Sequence, residues 1–217
     1  METQEISGEF LFKAWPWIEA HRRQLIGGVI GVAVLVGIIS VASAAKAQKE
    51  VTAGIALSHL LTTPPVNPET LLQLASAQAG TQAALRAQLQ AATAYFENGK
   101  YAEAQAQYQG FADAHPTNPL AGEAFLGAGA SLEAQGKADQ AVSWYNKAAA
   151  GPAEAPATLM AKFALGRISE LAGKLTEAQG YFQDVTRLGT QISIGSEAYQ
   201  HLAVIKQKLA AKTAAAK

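Results

Sequence analysis

The sequence GKYAEA at positions 99–104 recurs as GKADQA at 136–141 and as GKLTEA at 173–178. The glycines that begin successive segments are 37 residues apart both times. One helical pattern precedes each segment and another follows it. Glycine permits the backbone conformation that ends a helix, and a small residue such as alanine lets two helices cross closely. The repeated segments therefore predict three consecutive helical hairpins.

The same register continues on both sides of these segments. Equivalent upstream positions carry Ala91-Ala92, Ala128-Gly129 and Leu165-Gly166, and equivalent downstream positions carry Tyr108, Tyr145 and Phe182. Over about residues 85–190 the pattern closely resembles the tetratricopeptide repeat, whose usual unit of about 34 residues is lengthened here by an insertion of about three. The resemblance implies a right-handed stack of helical hairpins that binds proteins rather than an enzyme.

A charge-free stretch of 21 residues runs from 25 to 45. As a helix it would extend roughly 30 Å, which is the thickness of the hydrocarbon core of a bilayer. Trp15 and Trp17 precede it, and Arg22-Arg23 flanks it directly. Indole rings favour the headgroup zone and arginines favour the cytoplasmic side. The sequence therefore predicts a single-pass protein of the bacterial inner membrane, with a cytoplasmic N-terminus and a periplasmic C-terminal domain.

A cleaved signal peptide is the alternative for this stretch. Ala42-Ser43-Ala44 satisfies the small-x-small rule for a cleavage site. The apolar run is longer than the ~7–15 residues usual in a signal peptide, and its N-terminal flank is long and carries acidic residues. A retained anchor is therefore favoured, and later cleavage stays open. The spacing of Gly27 and Gly31 would also permit close packing of two spans, which leaves a homo-oligomer as an option.

These patterns together predict an all-α chain, with one transmembrane helix followed by a TPR-like right-handed stack of helical hairpins and a capping helix. The predicted segments are a cytoplasmic amphipathic segment (1–24), the transmembrane helix (25–45), membrane-proximal helices (46–84), three hairpins (85–195) and a C-terminal capping helix (196–212). The capping helix is expected because a stack of hairpins exposes an apolar face at each end.

In tetratricopeptide repeats the first helix of each hairpin lines a concave groove. Carried over to this sequence, that resemblance implies an apolar floor of Leu89, Phe96, Leu126, Met160 and Phe163, surrounded by Arg86, Thr93, Glu133, Arg167 and Glu170. A groove that is apolar in the middle and charged at its rim suits an extended or partly unfolded polypeptide. The alternative is that these side chains only pack against neighbouring helices.

The composition argues against several other functions. The 17 basic residues balance the 17 acidic ones, so the concentrated positive field that nucleic-acid binding requires is missing from the sequence. The chain has no cysteine, and its four histidines are too scattered for a metal-binding pair. Phosphate-loop and nucleophile-elbow motifs are also lacking. We therefore predict no enzymatic activity, no cofactor and no metal.

The whole-chain arrangement has a second, narrower resemblance. A short cytoplasmic segment, one span, a helix leaving the membrane and degenerate hairpins look like the YfgM family of bacterial inner-membrane proteins. That resemblance implies partners among Sec translocon components, a chaperone similar to PpiD and secreted polypeptides. A chaperone accessory or scaffold is one hypothesis. The other is a structural subunit of a different envelope or secretion assembly.

Overall fold

A computed structural model describes residues 15–17, 19–188 and 193–215, and these residues form α-helices and turns without a strand. Its helices are α1 (Arg22–Thr62), α2 (Pro68–Ala77), α3 (Gln82–Glu97), α4 (Tyr101–Ala114), α5 (Ala121–Ala134), α6 (Ala138–Ala149), α7 (Pro156–Leu171), α8 (Leu175–Leu188) and α9 (Ser193–Ala215). The prediction of an all-α, TPR-like chain is confirmed. Most of the predicted cytoplasmic segment, 1–14 together with position 18, lies outside the described residues.

The chain divides into two compact units, Met1–Thr52 and Ala53–Lys217. Helix α1 is continuous for 41 residues, and its most apolar window has no buried residue. By length and composition it can cross a membrane. The predicted end of the span at residue 45 falls inside this helix, because Ala44, Ala45 and the residues after them are good helix formers.

In each of the three hairpins a similar turn connects the two helices. Gly99, Gly136 and Gly173 have φ values of 74°, 76° and 74°, in the left-handed region that glycine tolerates. In each turn the amide of the following lysine donates to a carbonyl five residues earlier, over 2.9 Å, which forms a Schellman motif. The 37-residue repeat seen in the sequence is therefore a repeat of helix ends.

Small residues and aromatic rings pack together inside the hairpins. Ala104, Ala141 and Ala178 are fully buried. A Cβ built on Gly129 would lie 2.7 Å from the Tyr145 ring, and one built on Gly166 would lie 3.0 Å from the Phe182 ring. The upstream small residues thus make room for the downstream aromatics of the same hairpin.

Additional helices cover both ends of the stack. Helix α2 packs on α3, where Glu69 accepts a hydrogen bond from the Tyr95 hydroxyl at 3.3 Å and lies 3.9 Å from the Lys100 ammonium. At the other end α9 packs on α8 and buries apolar side chains there, namely Ala198, Leu202 and Ile205.

The predicted boundaries at 85 and 196 both fall inside helices. Thr81 caps α3 by accepting a hydrogen bond from the Ala84 amide, so that helix starts before position 85.

Candidate protein-binding groove

The predicted groove residues lie on the first helices of the three hairpins, α3, α5 and α7. The structure separates them into three sets. Leu89 is buried, and Phe96 and Phe163 are half-buried against other aromatic rings of their hairpins. Thr93, Glu133, Arg167 and Glu170 bond to other helices of the stack. Arg86, Leu126 and Met160 lie at the surface beside two adjoining pockets.

The contacts of Leu89, Phe96 and Phe163 agree with the alternative interpretation, in which these side chains pack against neighbouring helices. Leu89 is 2% exposed and belongs to the core of the first hairpin. Phe96 is half-buried, with its ring centroid 5.1 Å from that of Tyr101. Phe163 packs against Phe182, with ring centroids 5.5 Å apart. These side chains meet the second helices of the hairpins because the inner helices are buried on more than one side, so little of their surface is left for a partner.

Thr93 connects the two helices of the first hairpin. Its hydroxyl lies 2.8 Å from the Tyr108 hydroxyl and donates to the Leu89 carbonyl at 3.1 Å. Burial raises the pKa of the Tyr108 phenol, because an ionised phenol is poorly solvated there. Thr93 gives the half-buried Tyr108 hydroxyl a hydrogen-bond partner and is therefore part of the packing.

Glu133 and Arg167 form an ion pair that joins the second hairpin to the third. Glu133 also accepts a hydrogen bond from the Tyr145 hydroxyl at 2.8 Å. Burial and this bond to a carboxylate together raise the pKa of Tyr145, since both disfavour the phenolate. The two predicted rim charges thus pair with each other between hairpins.

Glu170 attaches the third hairpin to the capping helix. Its carboxylate lies 2.7 Å from His201 Nδ1 and 3.0 Å from Lys208 Nζ, both on α9. Burial by itself would raise the pKa of this carboxyl, but the hydrogen bonds and charges of His201 and Lys208 prevail and lower it. The His201 ring stacks on Phe182 at 4.8 Å. Glu170 therefore holds the capping helix in place.

We expect Glu170→Gln to lower the free energy of unfolding by about 1–3 kcal/mol at neutral pH, because it removes the negative charge and one of the two acceptor oxygens that bind His201 and Lys208. A lowered pKa in the folded state means that the ionised carboxylate stabilises the fold above its usual pKa range, and that this stability is lost as the pH falls through the folded-state pKa. Urea denaturation at neutral and acidic pH measures both effects.

Glu177→Gln, an exposed carboxylate on α8, is the matched control. The wild-type and control proteins should lose more stability on acidification than Glu170→Gln does. Equal acid sensitivity of all three proteins would contradict the role given to Glu170.

The remaining predicted residues border two adjoining pockets. The larger has a volume of 780 Å³ and is lined by Leu126 and Met160 together with the turns before α5 and α7. The smaller has a volume of 260 Å³ and is lined by Arg86, the edge of Leu89 and the end of α1. Both pockets share Leu120 and Glu123. We refer to the two pockets together as the groove.

The repeat register does not single out several groove residues. Leu120 and Glu123 lie at the start of α5, Lys147 lies in the last turn of α6, and Leu57 and Leu61 lie near the end of α1.

One sequence signal does locate the larger pocket. Pro119 and Pro156, which both line it, are 37 residues apart, so the turns between hairpins repeat with the same period as the helices.

Lys147, which lines the larger pocket, has its ammonium above two aromatic rings. Its ammonium lies 4.0 Å from the centroid of the Trp144 ring and 5.8 Å from that of Phe125. Such contacts restrict a cation without neutralising it. Among the described residues, no ion pair involves Lys147, Arg86 or Glu123. The groove therefore combines apolar walls with charges that remain available to a partner.

Within 15–17, 19–188 and 193–215, no three histidine, aspartate or glutamate side chains are arranged to hold a metal ion. The charged pairs nearest the groove connect helices to one another. What the described part of the chain offers is shape, apolar surface and three charges outside any ion pair, which are features of a binding surface.

Repeated Schellman turns, small residues packed on aromatic rings and an open groove are features of a TPR-like stack of helical hairpins. Residues 89–156 match the family model described as tetratricopeptide repeat. This matched segment contains the helices from α4 to α6 and most of the groove. Tetratricopeptide repeats typically serve as protein-interaction modules. No curated protein matches the chain.

Two solved structures share the fold. PcrH from Pseudomonas aeruginosa is 19% identical, with a TM-score of 0.51, and the match covers 58% of this chain and 93% of PcrH. A variant of a putative kinesin light chain with nearly identical TPR-like repeats, from Podosopora anserina, is 20% identical with a TM-score of 0.53. That match covers 68% of this chain and 79% of the other. At these identities the likeness concerns the fold.

Proposed function

We propose that this protein is a membrane-anchored scaffold or chaperone accessory whose groove binds segments of other proteins in the bacterial periplasm, at or near the Sec translocon. One observation carries the proposal. Within the described residues, the groove keeps apolar side chains and charges outside any ion pair at the surface of an otherwise well-packed stack. Exposed apolar surface in a concave site is commonly a binding surface.

Two features support the membrane part of the proposal. Helix α1 is long and apolar enough to span a bilayer. Arg22-Arg23 lies at its start, and arginines near a span favour the cytoplasmic side. A chain anchored in this way carries its C-terminal hairpins outside the cytoplasm.

A fusion of alkaline phosphatase to the C-terminus tests this topology. We expect the fusion to be active, because the enzyme requires an oxidising compartment, and to sediment with membranes. The control is the same fusion with Arg22 and Arg23 changed to glutamate and two lysines added after Ala45, which should reduce the activity. An inactive wild-type fusion would contradict the orientation, and a soluble active one would indicate cleavage near Ala44.

The proposed partners follow from the likeness to the YfgM family and are Sec translocon components, a PpiD-like chaperone and secreted polypeptides. A photo-crosslinking amino acid at Met160, which is 48% exposed in the groove, tests them in intact membranes. We expect adducts with one of these partners, identified by immunoblotting, because Met160 would contact the bound segment. The matched control position is Gln140, which is exposed on α6 outside the groove.

Equal adducts from both positions would contradict binding in the groove. One stoichiometric adduct with an unrelated envelope protein would instead favour the second hypothesis, a fixed structural subunit. A range of secreted polypeptides, each in low yield, would favour the chaperone accessory.

A further inference from the structure

We infer that the larger pocket binds a large apolar side chain of an extended polypeptide together with a carboxylate beside it, and that Lys147 is the partner of that carboxylate. This inference rests on the proposed function, because it names the chemistry that the groove would recognise. It assigns a specificity-determining role to a residue that lies outside the predicted inner-helix positions.

The apolar part of the pocket has suitable dimensions and lining. Leu120, Phe125, Leu126 and Met160 contribute to walls that enclose 780 Å³, within the range of pockets that hold small ligands. Met160 is 48% exposed, and flexible methionines adapt to partners of different shape. A bulky aliphatic or aromatic side chain would remove this surface from water.

The pocket is formed in advance, since its frame is rigid. Pro119 and Pro156 fix the backbone at the starts of α5 and α7. The Thr158 hydroxyl donates to the Ala148 carbonyl at 3.1 Å, which connects α7 to the end of α6. Asn118 Oδ1 accepts from the Leu120 amide at 2.9 Å. A partner would therefore bind without having to order these turns, which lowers the entropic cost of association.

Charge complementarity with Lys147 predicts the carboxylate on the bound polypeptide. Lys147 lines the larger pocket, its ammonium is confined above Trp144, and no described carboxylate forms an ion pair with it. A carboxylate on the partner would supply the missing counter-ion. Glu123 would repel that carboxylate, and it also lines the smaller pocket, which Lys147 does not. The carboxylate is therefore expected next to Lys147, away from the junction of the two pockets.

Peptide binding to the full chain in phosphatidylcholine nanodiscs tests the inference. The probes carry a neutral fluorophore and blocked ends, with Gly-Ser-Phe-Leu-Phe-Asp-Gly-Ser compared against Gly-Ser-Phe-Leu-Phe-Lys-Gly-Ser by fluorescence anisotropy. A third probe ends in Phe-Leu-Phe with a free C-terminal carboxylate, so that a side-chain carboxylate and a terminal one can be distinguished. Empty nanodiscs measure partitioning into lipid.

We expect the aspartate probe to bind about tenfold more tightly than the lysine probe, the size of one charge-assisted hydrogen bond. Lys147→Gln should abolish this preference. Lys137→Gln, an exposed lysine on the turn before α6, should preserve it. Met160→Ser should weaken both probes several-fold. Tighter binding of the terminal-carboxylate probe than of the aspartate probe would assign the pocket to chain ends, with Lys147 as partner in either case.

Two results would overturn the inference. Equal affinity of the aspartate and lysine probes would show that Lys147 does not recognise a carboxylate of the bound peptide. Binding that is unchanged by Met160→Ser would place the probes elsewhere. In both cases crosslinking from Met160 to native partners can still succeed, so failure of this inference is distinguishable from failure of the proposed function.

Discussion

Replacement of Gly129 by alanine should destabilise the repeat domain, whereas the same replacement at Gly110 should stabilise it. Both glycines lie inside helices, where alanine is favoured over glycine by about 1 kcal/mol. At Gly110 nothing lies within 4 Å of an added Cβ, so this gain should appear in full. At Gly129 the added Cβ would lie 2.7 Å from the Tyr145 ring, and overpacking of this kind costs about 1–3 kcal/mol.

Urea denaturation of the full chain in detergent, followed by circular dichroism, measures both changes. The two variants carry the same chemical substitution, so a difference in sign comes from the surroundings of each glycine. An increase in stability with Gly129→Ala would contradict the packing of α5 on α6, and destabilisation by Gly110→Ala would contradict the open space around that position on α4. Gly180, also in a helix with open space around it, provides a second control that should behave like Gly110.

Leu89→Ala should unfold the domain at a markedly lower urea concentration, whereas Met160→Ala should hardly affect its stability. Leu89 is 2% exposed among Ala92, Tyr95 and other core residues, and its truncation would leave a cavity at a cost of about 2–5 kcal/mol. Met160 is 48% exposed, and surface substitutions usually change stability by less than about 0.5 kcal/mol.

Under conditions in which both variants are folded, Met160→Ala should impair partner capture more than Leu89→Ala does. Met160→Ala should reduce crosslinking from a second groove position such as Leu126, because it removes apolar contact area. Similar melting of the two variants would mean that Leu89 and Met160 have similar surroundings, and would restore the continuous apolar floor that the sequence predicts.

The repeat could be predicted from sequence because a helix end leaves a local signature. The glycines at 99, 136 and 173 have left-handed backbone conformations that few other residues adopt. The alanines five residues later are buried wherever the same turn recurs. Local backbone chemistry and a fixed period are sufficient here, so the fold requires no information about distant contacts.

The groove is harder to predict because it depends on contacts between repeats. Glu133 and Arg167 are in different hairpins, and neither position indicates by itself that the two charges form a pair. Glu170 is attached to a helix beyond the third repeat. Leu89 and Met160 both belong to the predicted groove floor, yet their burial differs because the helices around them differ. The larger pocket is formed partly by turns, which the helical register does not describe.

The contacts between neighbouring elements would govern how the stack responds to a pulling force. Glu69 connects α2 to the first hairpin, Glu133 connects the second hairpin to the third, and Glu170 connects the third hairpin to α9. Each hairpin is thus linked mainly to its neighbours, as in other helical-repeat proteins. Tension on the C-terminus would detach α9 first, which breaks both its apolar packing on α8 and the contacts of Glu170 with His201 and Lys208. It would then extend the chain hairpin by hairpin. A stack of this kind would lengthen in steps under load, beginning at the pulled end, because each element packs mainly on its neighbours.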